Sequence, residues 1–71
     1  MKQNRRRRHL RPQPTRSQIN QEINRACHLY DLFQIERVME LRKPEPDIAH
    51  LRYVQEQMAA LEDVVVTLEA Y

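Results

Sequence analysis

The residues with the clearest chemistry are arginines close to the N-terminus. A guanidinium group offers a planar fork of donors that pairs bidentately with a phosphate, and it can also stack on an unpaired base. We therefore expect these side chains to contact the phosphate backbone of RNA or DNA. Phosphate contacts position a protein without reading sequence, so no base specificity is implied. The candidate nucleic-acid-binding residues are Arg5, Arg6, Arg7, Arg8, Arg11 and Arg16.

The charges of the chain are divided between its two parts. Residues 1–16 hold seven Lys and Arg residues and no acid, whereas residues 17–71 hold five bases and ten acids. A block of like charge is typical of a disordered interaction tail. We expect residues 1–14, which end at Pro12 and Pro14, to form a disordered basic arm ahead of a helical domain at residues 15–71. Such arms also bind acidic protein surfaces, which is the alternative partner.

Catalytic and metal chemistry have little basis in the sequence. Cys27 and His28 are adjacent, and neighbouring residues of a helix do not face one another, so they form no nucleophile and base pair. We expect Cys27 to be a small thiol on the core face. The three histidines and Cys27 lack the close spacing of a zinc site, and a chain without Gly has no phosphate-cradling loop. The sequence predicts no enzyme activity, no metal and no cofactor.

A first helix is predicted over about residues 16–42. Thr15 and Gln18 have the spacing of a capping box, in which each side chain bonds the backbone of the other. The apolar residues that follow recur every three or four positions and form one stripe toward a core. This stripe contains Ile19, Ile23, Ala26, Cys27, Tyr30, Phe33 and Leu41.

Four further apolar residues of this segment, Leu29, Leu32, Ile35 and Met39, lie off the stripe. Either the helix packs on two partners, or it breaks near Asp31, which would then cap a separate short helix. In the first case the four residues form a docking face for another protein, and we name them as the candidate partner-binding residues. The alternative is that they belong to a core, either of a three-helix body, which a break near Asp31 would allow, or of a dimer of two hairpins.

The segment from Arg42 to Asp47 is the clearest boundary in the sequence. It carries two bases suited to the C-terminus of a helix, followed by two prolines. Pro46 suits the first position of a second helix, predicted over about residues 46–70. That helix repeats apolar residues in the pattern of a heptad seam, at Leu51, Val54, Met58, Leu61, Val65 and Leu68. The acids at Glu36, Glu40, Glu56, Glu62, Asp63 and Glu69 are expected on the solvent faces.

The predicted fold is all-α, either a helical hairpin or a small three-helix body. About 55 residues give a marginal core, so we expect a homodimer or docking on a larger protein. The chain has no apolar stretch long enough for a bilayer, no signal-peptide pattern and a single cysteine. These features favour a cytoplasmic protein without a membrane partner.

The run from Arg5 to Arg8 ahead of helices resembles the arginine-rich arms of phage transcription antiterminators, which bind RNA and act on RNA polymerase. In overall size and composition the chain also resembles small phage-encoded proteins that bind bacterial RNA polymerase. Pro12 and Pro14 depart from the antiterminator arms, which fold as one helix on hairpin RNA. The helical hairpin is similar in architecture to the plasmid RNA-pairing regulator Rop.

We therefore expect a small, non-enzymatic transcription regulator. Its helical body would dock on a protein such as bacterial RNA polymerase, and its arm would contact nearby nucleic acid. The alternative is a structural or adaptor module that self-associates through its helices and binds an acidic protein surface through the arm.

Overall fold

Two antiparallel helices form the body of the protein. The computed structural model describes residues 13–71, with α1 at Arg16–Leu41 and α2 at Ile48–Glu69. The all-α fold and the helical hairpin are thereby confirmed. Helix α1 continues without a break through Asp31, so the three-helix alternative is wrong. The basic arm up to Pro12 lies outside the described residues, and its predicted disorder stays a prediction.

The start of α1 is fixed by the predicted capping box. The Gln18 N–H donates to Thr15 Oγ1 at 3.1 Å, and the Thr15 N–H donates to Gln18 Oε1 at 2.9 Å. These two bonds satisfy donors that the first turn of a helix otherwise leaves unpaired. The helical body therefore begins directly after the two prolines of the arm.

The turn between the helices is held by a buried carboxylate, Glu40, which is only 6% exposed. Its Oε2 accepts the backbone N–H of Asp47 at 2.9 Å, and its Oε1 accepts Lys43 Nζ at 3.0 Å. The donated Asp47 N–H, followed by Lys43, lowers the pKa of Glu40 below its ordinary value of 4.5. The expectation that Glu40 faces solvent is wrong, because α2 begins directly beside it.

Helix α2 begins two residues later than predicted, at Ile48 instead of about residue 46. Asp47 is the N-cap, and its Oδ1 accepts the His50 N–H at 3.2 Å. Pro46 therefore precedes the cap and is not the first helical residue, as the sequence had suggested. An aspartate accepting this bond is stabilising at the positive end of a helix.

The core between the helices is small. Ile19, Ala26, Val54 and Met58 are its buried apolar residues, and Val54 is 0% exposed. The predicted seam of α2 is confirmed, since all its members are buried or half-buried: Leu51, Val54, Met58, Leu61, Val65 and Leu68.

Two residues predicted in the core stripe of α1 are not buried. Cys27 and Leu41 are both exposed. Cys27 lies beside the stripe, and Ala26 takes the position against α2. Leu41 is the last residue of α1, where the neighbouring Glu40 turns inward. The apolar pattern alone does not show which of two neighbouring residues packs against α2, nor that contact with α2 is lost at the last residue of α1.

Replacement of Glu40 by Gln is expected to lower the melting temperature at pH 7 by about 5 °C, because a buried charged acceptor is lost. The folded-state pKa of Glu40 lies below 4.5, so its contribution is present above that pH and is lost as pH falls through the lowered value. Wild type and variant should therefore converge in acid. The difference in melting temperature is measured by circular dichroism between about pH 7 and pH 2.5, a range in which carboxylates titrate.

The control is Glu56→Gln, which removes an exposed carboxylate from α2. It should track the wild type at every pH. A Glu40→Gln curve that stays parallel to the wild type into acid would contradict the assigned role of this carboxylate.

Candidate functional site

The predicted nucleic-acid-binding residues lie at one end of the chain. Arg16 is the first residue of α1 and is exposed. The other five, Arg5, Arg6, Arg7, Arg8 and Arg11, lie outside the described residues. The capped start of α1 thus marks where the basic block meets the body.

The four predicted partner-binding residues are all exposed on α1. Leu29, Leu32, Ile35 and Met39 keep between 39% and 60% of their surface in contact with solvent. They lie on the sides of α1 that do not face α2, as the helical spacing predicts. Within the hairpin they form no core, so the interpretation as part of a three-helix core is wrong. Together they leave apolar surface open to solvent along α1.

One broad side of the hairpin joins residues of both helices. The rings of Phe33 and Tyr53 meet edge to face, with centroids 6.3 Å apart and planes at 72°. Beside them His50 Nε2 lies 3.1 Å from Glu36 Oε1. These contacts place Phe33 and Glu36 of α1 on the same side of the hairpin as His50 and Tyr53 of α2.

Helical spacing assigns further apolar residues to this side. Leu29 precedes Phe33 by four positions and Leu32 precedes Glu36 by four, which places them in neighbouring turns of α1. On α2 the residues seven and eleven positions after Tyr53 are Ala60 and Val64. We call this side the Tyr53 face; its apolar residues are Leu29, Leu32, Phe33, Tyr53, Ala60 and Val64.

The α2 half of this face has a pattern of its own in the sequence, which was missed because the leucine-rich seam of α2 lies beside it. Tyr53, Gln57, Ala60 and Val64 follow one another at steps of four, three and four. This is a second heptad-like row beside the first, and a helix with two such rows can pack on two neighbours. Tyr53 is 52% exposed and Val64 is exposed too, so the second row is open in the single chain.

The opposite side of the hairpin carries a shallow groove of about 400 Å³ next to Cys27. Tyr30 of α1 and Glu62 of α2 lie across it from one another. Hydrogen bonding to the Glu62 carboxylate, with burial, raises the pKa of the Tyr30 hydroxyl above 10.0. We call this side the Cys27 groove; it is lined by Ala26, Cys27, Tyr30, Asp31, Leu61, Glu62, Val65 and Val66.

Cys27 and His28 do not come together as a nucleophile and base pair in the described part of the chain. Cys27 and His28 are both exposed and occupy successive positions of α1, pointing in different directions. Across residues 13–71 no three His, Cys, Asp or Glu side chains come together as metal ligands. Nor does either helix in this part of the chain have the length and apolar character needed to cross a membrane.

Comparisons of this chain with protein-family models, curated proteins and solved structures give no match.

Proposed function

We propose that this protein is a non-enzymatic regulator that contacts nucleic acid through its basic arm and docks on protein through the exposed apolar side of its helical body. The observation that carries the proposal is the division of charge: seven bases without an acid in residues 1–16, against ten acids and five bases in the rest. A polycation attached to an acidic body is drawn to polyanions through the arm alone.

Two features of the helical body support separate roles for the arm in nucleic-acid contact and for the body in protein docking. The capping box at Thr15 starts α1 where the basic block of the sequence ends, and Arg16, the last base of that block, is the first residue of the helix. On the body, Leu32 and Ile35 present large apolar side chains that the second helix does not cover. One part of the chain is therefore suited to phosphates and another to an apolar protein surface.

In its most specific form the proposal makes the protein a transcription regulator. The protein partner is then bacterial RNA polymerase, and the nucleic acid is the RNA or DNA close to it. Arginine rather than lysine dominates the arm, with six Arg and one Lys in residues 1–16. Guanidinium groups pair with phosphates in a fixed geometry, which suits a structured nucleic acid. This form of the proposal places the protein in the cytoplasm.

The salt dependence of binding tests the nucleic-acid half. A labelled duplex is titrated with the full chain at several salt concentrations, and the dissociation constant is measured by fluorescence anisotropy. If about five to seven phosphates are contacted, the logarithm of the affinity should fall with the logarithm of salt at a slope of about −4.5 to −6.3. A slope shallower than about −2 would reject nucleic acid as the ligand and favour the adaptor alternative.

A titration of the full chain with purified bacterial RNA polymerase, at several salt concentrations, tests the proposal that this polymerase is the protein partner. Binding through the apolar side should survive high salt, and Ile35→Asp should weaken it by about tenfold or more. Glu56→Gln, on the exposed side of α2, serves as the control. A polymerase that does not bind the protein, or that binds the wild type and Ile35→Asp equally, would contradict this form of the proposal.

A further inference from the structure

We infer that the Tyr53 face is covered by a second copy of this chain, so that two hairpins form an antiparallel four-helix bundle about a two-fold axis. The inference deepens the proposed function, on which it rests for the view that the apolar side docks on protein. It names the partner for Leu29 and Leu32. Three observations carry it: the small core, the matched register of the two helices, and the charges along the seam.

The single hairpin leaves most of its large apolar residues uncovered. Among residues 13–71, four apolar residues are buried, whereas eleven large ones are exposed. Bodies of this size bury a low fraction of their surface and usually need a staple or a partner. Stacking two hairpins face to face supplies a second core without any further sequence.

Helix α1 is self-complementary about one point. In an antiparallel pairing of α1 with its own copy, a two-fold axis midway between Leu29 and Leu32 sets each leucine over the other leucine of the second copy. The same axis sets Arg25 beside Glu36 of the second copy, because these residues lie four positions outside the leucines on either side. The isologous contact therefore contains two leucine pairs and two reciprocal ion pairs.

Helix α2 is self-complementary about a point of its own. An axis midway between Tyr53 and Ala60 sets each tyrosine over the alanine of the second copy. A large side chain facing a small one allows two helices to interdigitate. Ala60 is exposed on α2 and leaves the room that the tyrosine ring, 52% exposed in the single chain, would fill.

The fold places these two points at the same height. Glu40 bonds the backbone of Asp47, Glu36 pairs with His50, and Phe33 meets the ring of Tyr53. In an antiparallel hairpin, moving one residue toward the N-terminus of α1 corresponds to moving one residue toward the C-terminus of α2. The contacts therefore set the point between residues 29 and 32 level with residues 55–57 of α2.

That level contains the midpoint of Tyr53 and Ala60. One two-fold axis, perpendicular to the helices, thus satisfies the leucine pairs, the ion pairs and the tyrosine–alanine pairs together. The hairpin itself can form without the midpoint of α1 and the midpoint of α2 lying at the same level. The agreement of the two registers is what a symmetric dimer requires.

The Cys27 groove is a poorer surface for self-association. Asp31 and Glu62 both border it. Two copies joined at this groove would bring four carboxylates together, and the two copies of Arg37, which lies near Tyr30 and Glu62, would offset only part of this charge. Like charges in an interface are destabilising. The Tyr53 face instead carries Arg25 against Glu36, with opposite charges in matching positions.

Sedimentation equilibrium of the full chain without nucleic acid tests the inference. We expect a mass twice the 8.6 kDa of one chain. Leu29→Asp combined with Leu32→Asp should raise the dimer dissociation constant by at least about 100-fold, since it places four carboxylates in one small contact. Asn24→Asp combined with His28→Asp, at two exposed positions of α1 outside the Tyr53 face, is the matched control and should leave the dimer intact.

Charge exchange tests the register even if the leucine variant loses its helical content. Arg25→Glu and Glu36→Arg should each weaken the homodimer by about tenfold. Mixed together, the two chains should form a heterodimer preferentially, because both ion pairs are then present, one as in the wild type and the other with its polarity reversed. A mixture that gains nothing over the separate variants would overturn the proposed pairing.

The remaining outcomes separate this inference from the proposed function. A folded monomer at all concentrations, with nucleic acid still bound at the expected salt slope, would overturn the dimer and leave the function standing. A dimer that resists the leucine change but dissociates with Val66→Asp would place the contact at the Cys27 groove and likewise overturn it. A Tyr53-face dimer without nucleic-acid affinity would retain the inference for the dimer and reject the arm's role.

Discussion

Replacement of Arg5, Arg6, Arg7 and Arg8 together by Gln is expected to weaken nucleic-acid binding by about 10³-fold near physiological salt. Each lost phosphate contact forfeits the release of a condensed counterion, worth about 0.7 of a logarithmic unit at this salt concentration. The slope of affinity against salt should become shallower by about 3.6 for a duplex. Fluorescence anisotropy with the same duplex measures both quantities.

The arm and the body offer a control matched in charge. Arg7→Gln with Arg8→Gln, and Arg42→Gln with Arg52→Gln, each remove two positive charges from the chain. The arm pair should cost about 30-fold in affinity, whereas the body pair, both of whose side chains are exposed outside the basic block of the sequence, should cost little. Equal losses would show that overall charge, and not the arm, governs binding.

Replacement of Val54 by Asp is expected to unfold the body. Val54 is 0% exposed at the centre of the contact between the helices. Burying an unpaired carboxylate there costs several kcal/mol, while a body of this size has a free energy of unfolding of only about 3 to 9 kcal/mol. Circular dichroism at one fixed protein concentration should show the helical signal largely lost.

The same substitution at Val66 provides the control. Val66 lies in the same helix and has the same side chain, but it is 66% exposed. Val66→Asp should therefore keep the helical signal and most of the thermal stability. If both variants unfolded, the cause would be the effect of Asp on α2 itself and not burial at Val54.

The two experiments together separate folding from binding. The four-arginine variant should remain helical, because the capping box at Thr15 and the core residues lie outside its changes. The Val54→Asp chain keeps every arginine of the arm but loses the body. Nucleic-acid affinity retained by an unfolded chain would show that the arm acts alone, while protein docking should be lost with the body.

Local sequence signals determined the helices of this protein. Thr15 and Gln18 fixed the start of α1, because a capping box involves residues only three positions apart. The prolines at 44 and 46 fixed the turn, and the spacing from Leu51 to Leu68 identified the face of α2 that packs inward. Each of these signals is contained within one helix or its ends, so it can be read before the tertiary structure is known.

The sequence also determined the division of charge, on which the proposed function rests. The positions of Arg5 to Arg8 are a fact of the chain and need no fold to be recognised. Likewise, the off-stripe positions of Leu29, Leu32, Ile35 and Met39 follow from helical geometry alone.

Only the tertiary structure decided which side chains are covered. Glu40 reads as a surface acid, but the backbone of Asp47 returns beside it and makes it a buried acceptor. The apolar pattern predicts Cys27 in the core, but Ala26 is the residue that packs against α2, and the thiol of Cys27 is exposed. Both outcomes depend on how one helix meets the other.

The continuity of α1 and the Tyr53 face were decided in the same way. The apolar residues around Asp31 allowed either a broken helix or a helix with two packed sides, and periodicity does not distinguish these. The antiparallel pairing settled the choice, since α2 covers one side of an unbroken α1 and leaves the other open. The level of Tyr53 beside Phe33, and with it the shared register of the two helices, exists only once the hairpin has formed.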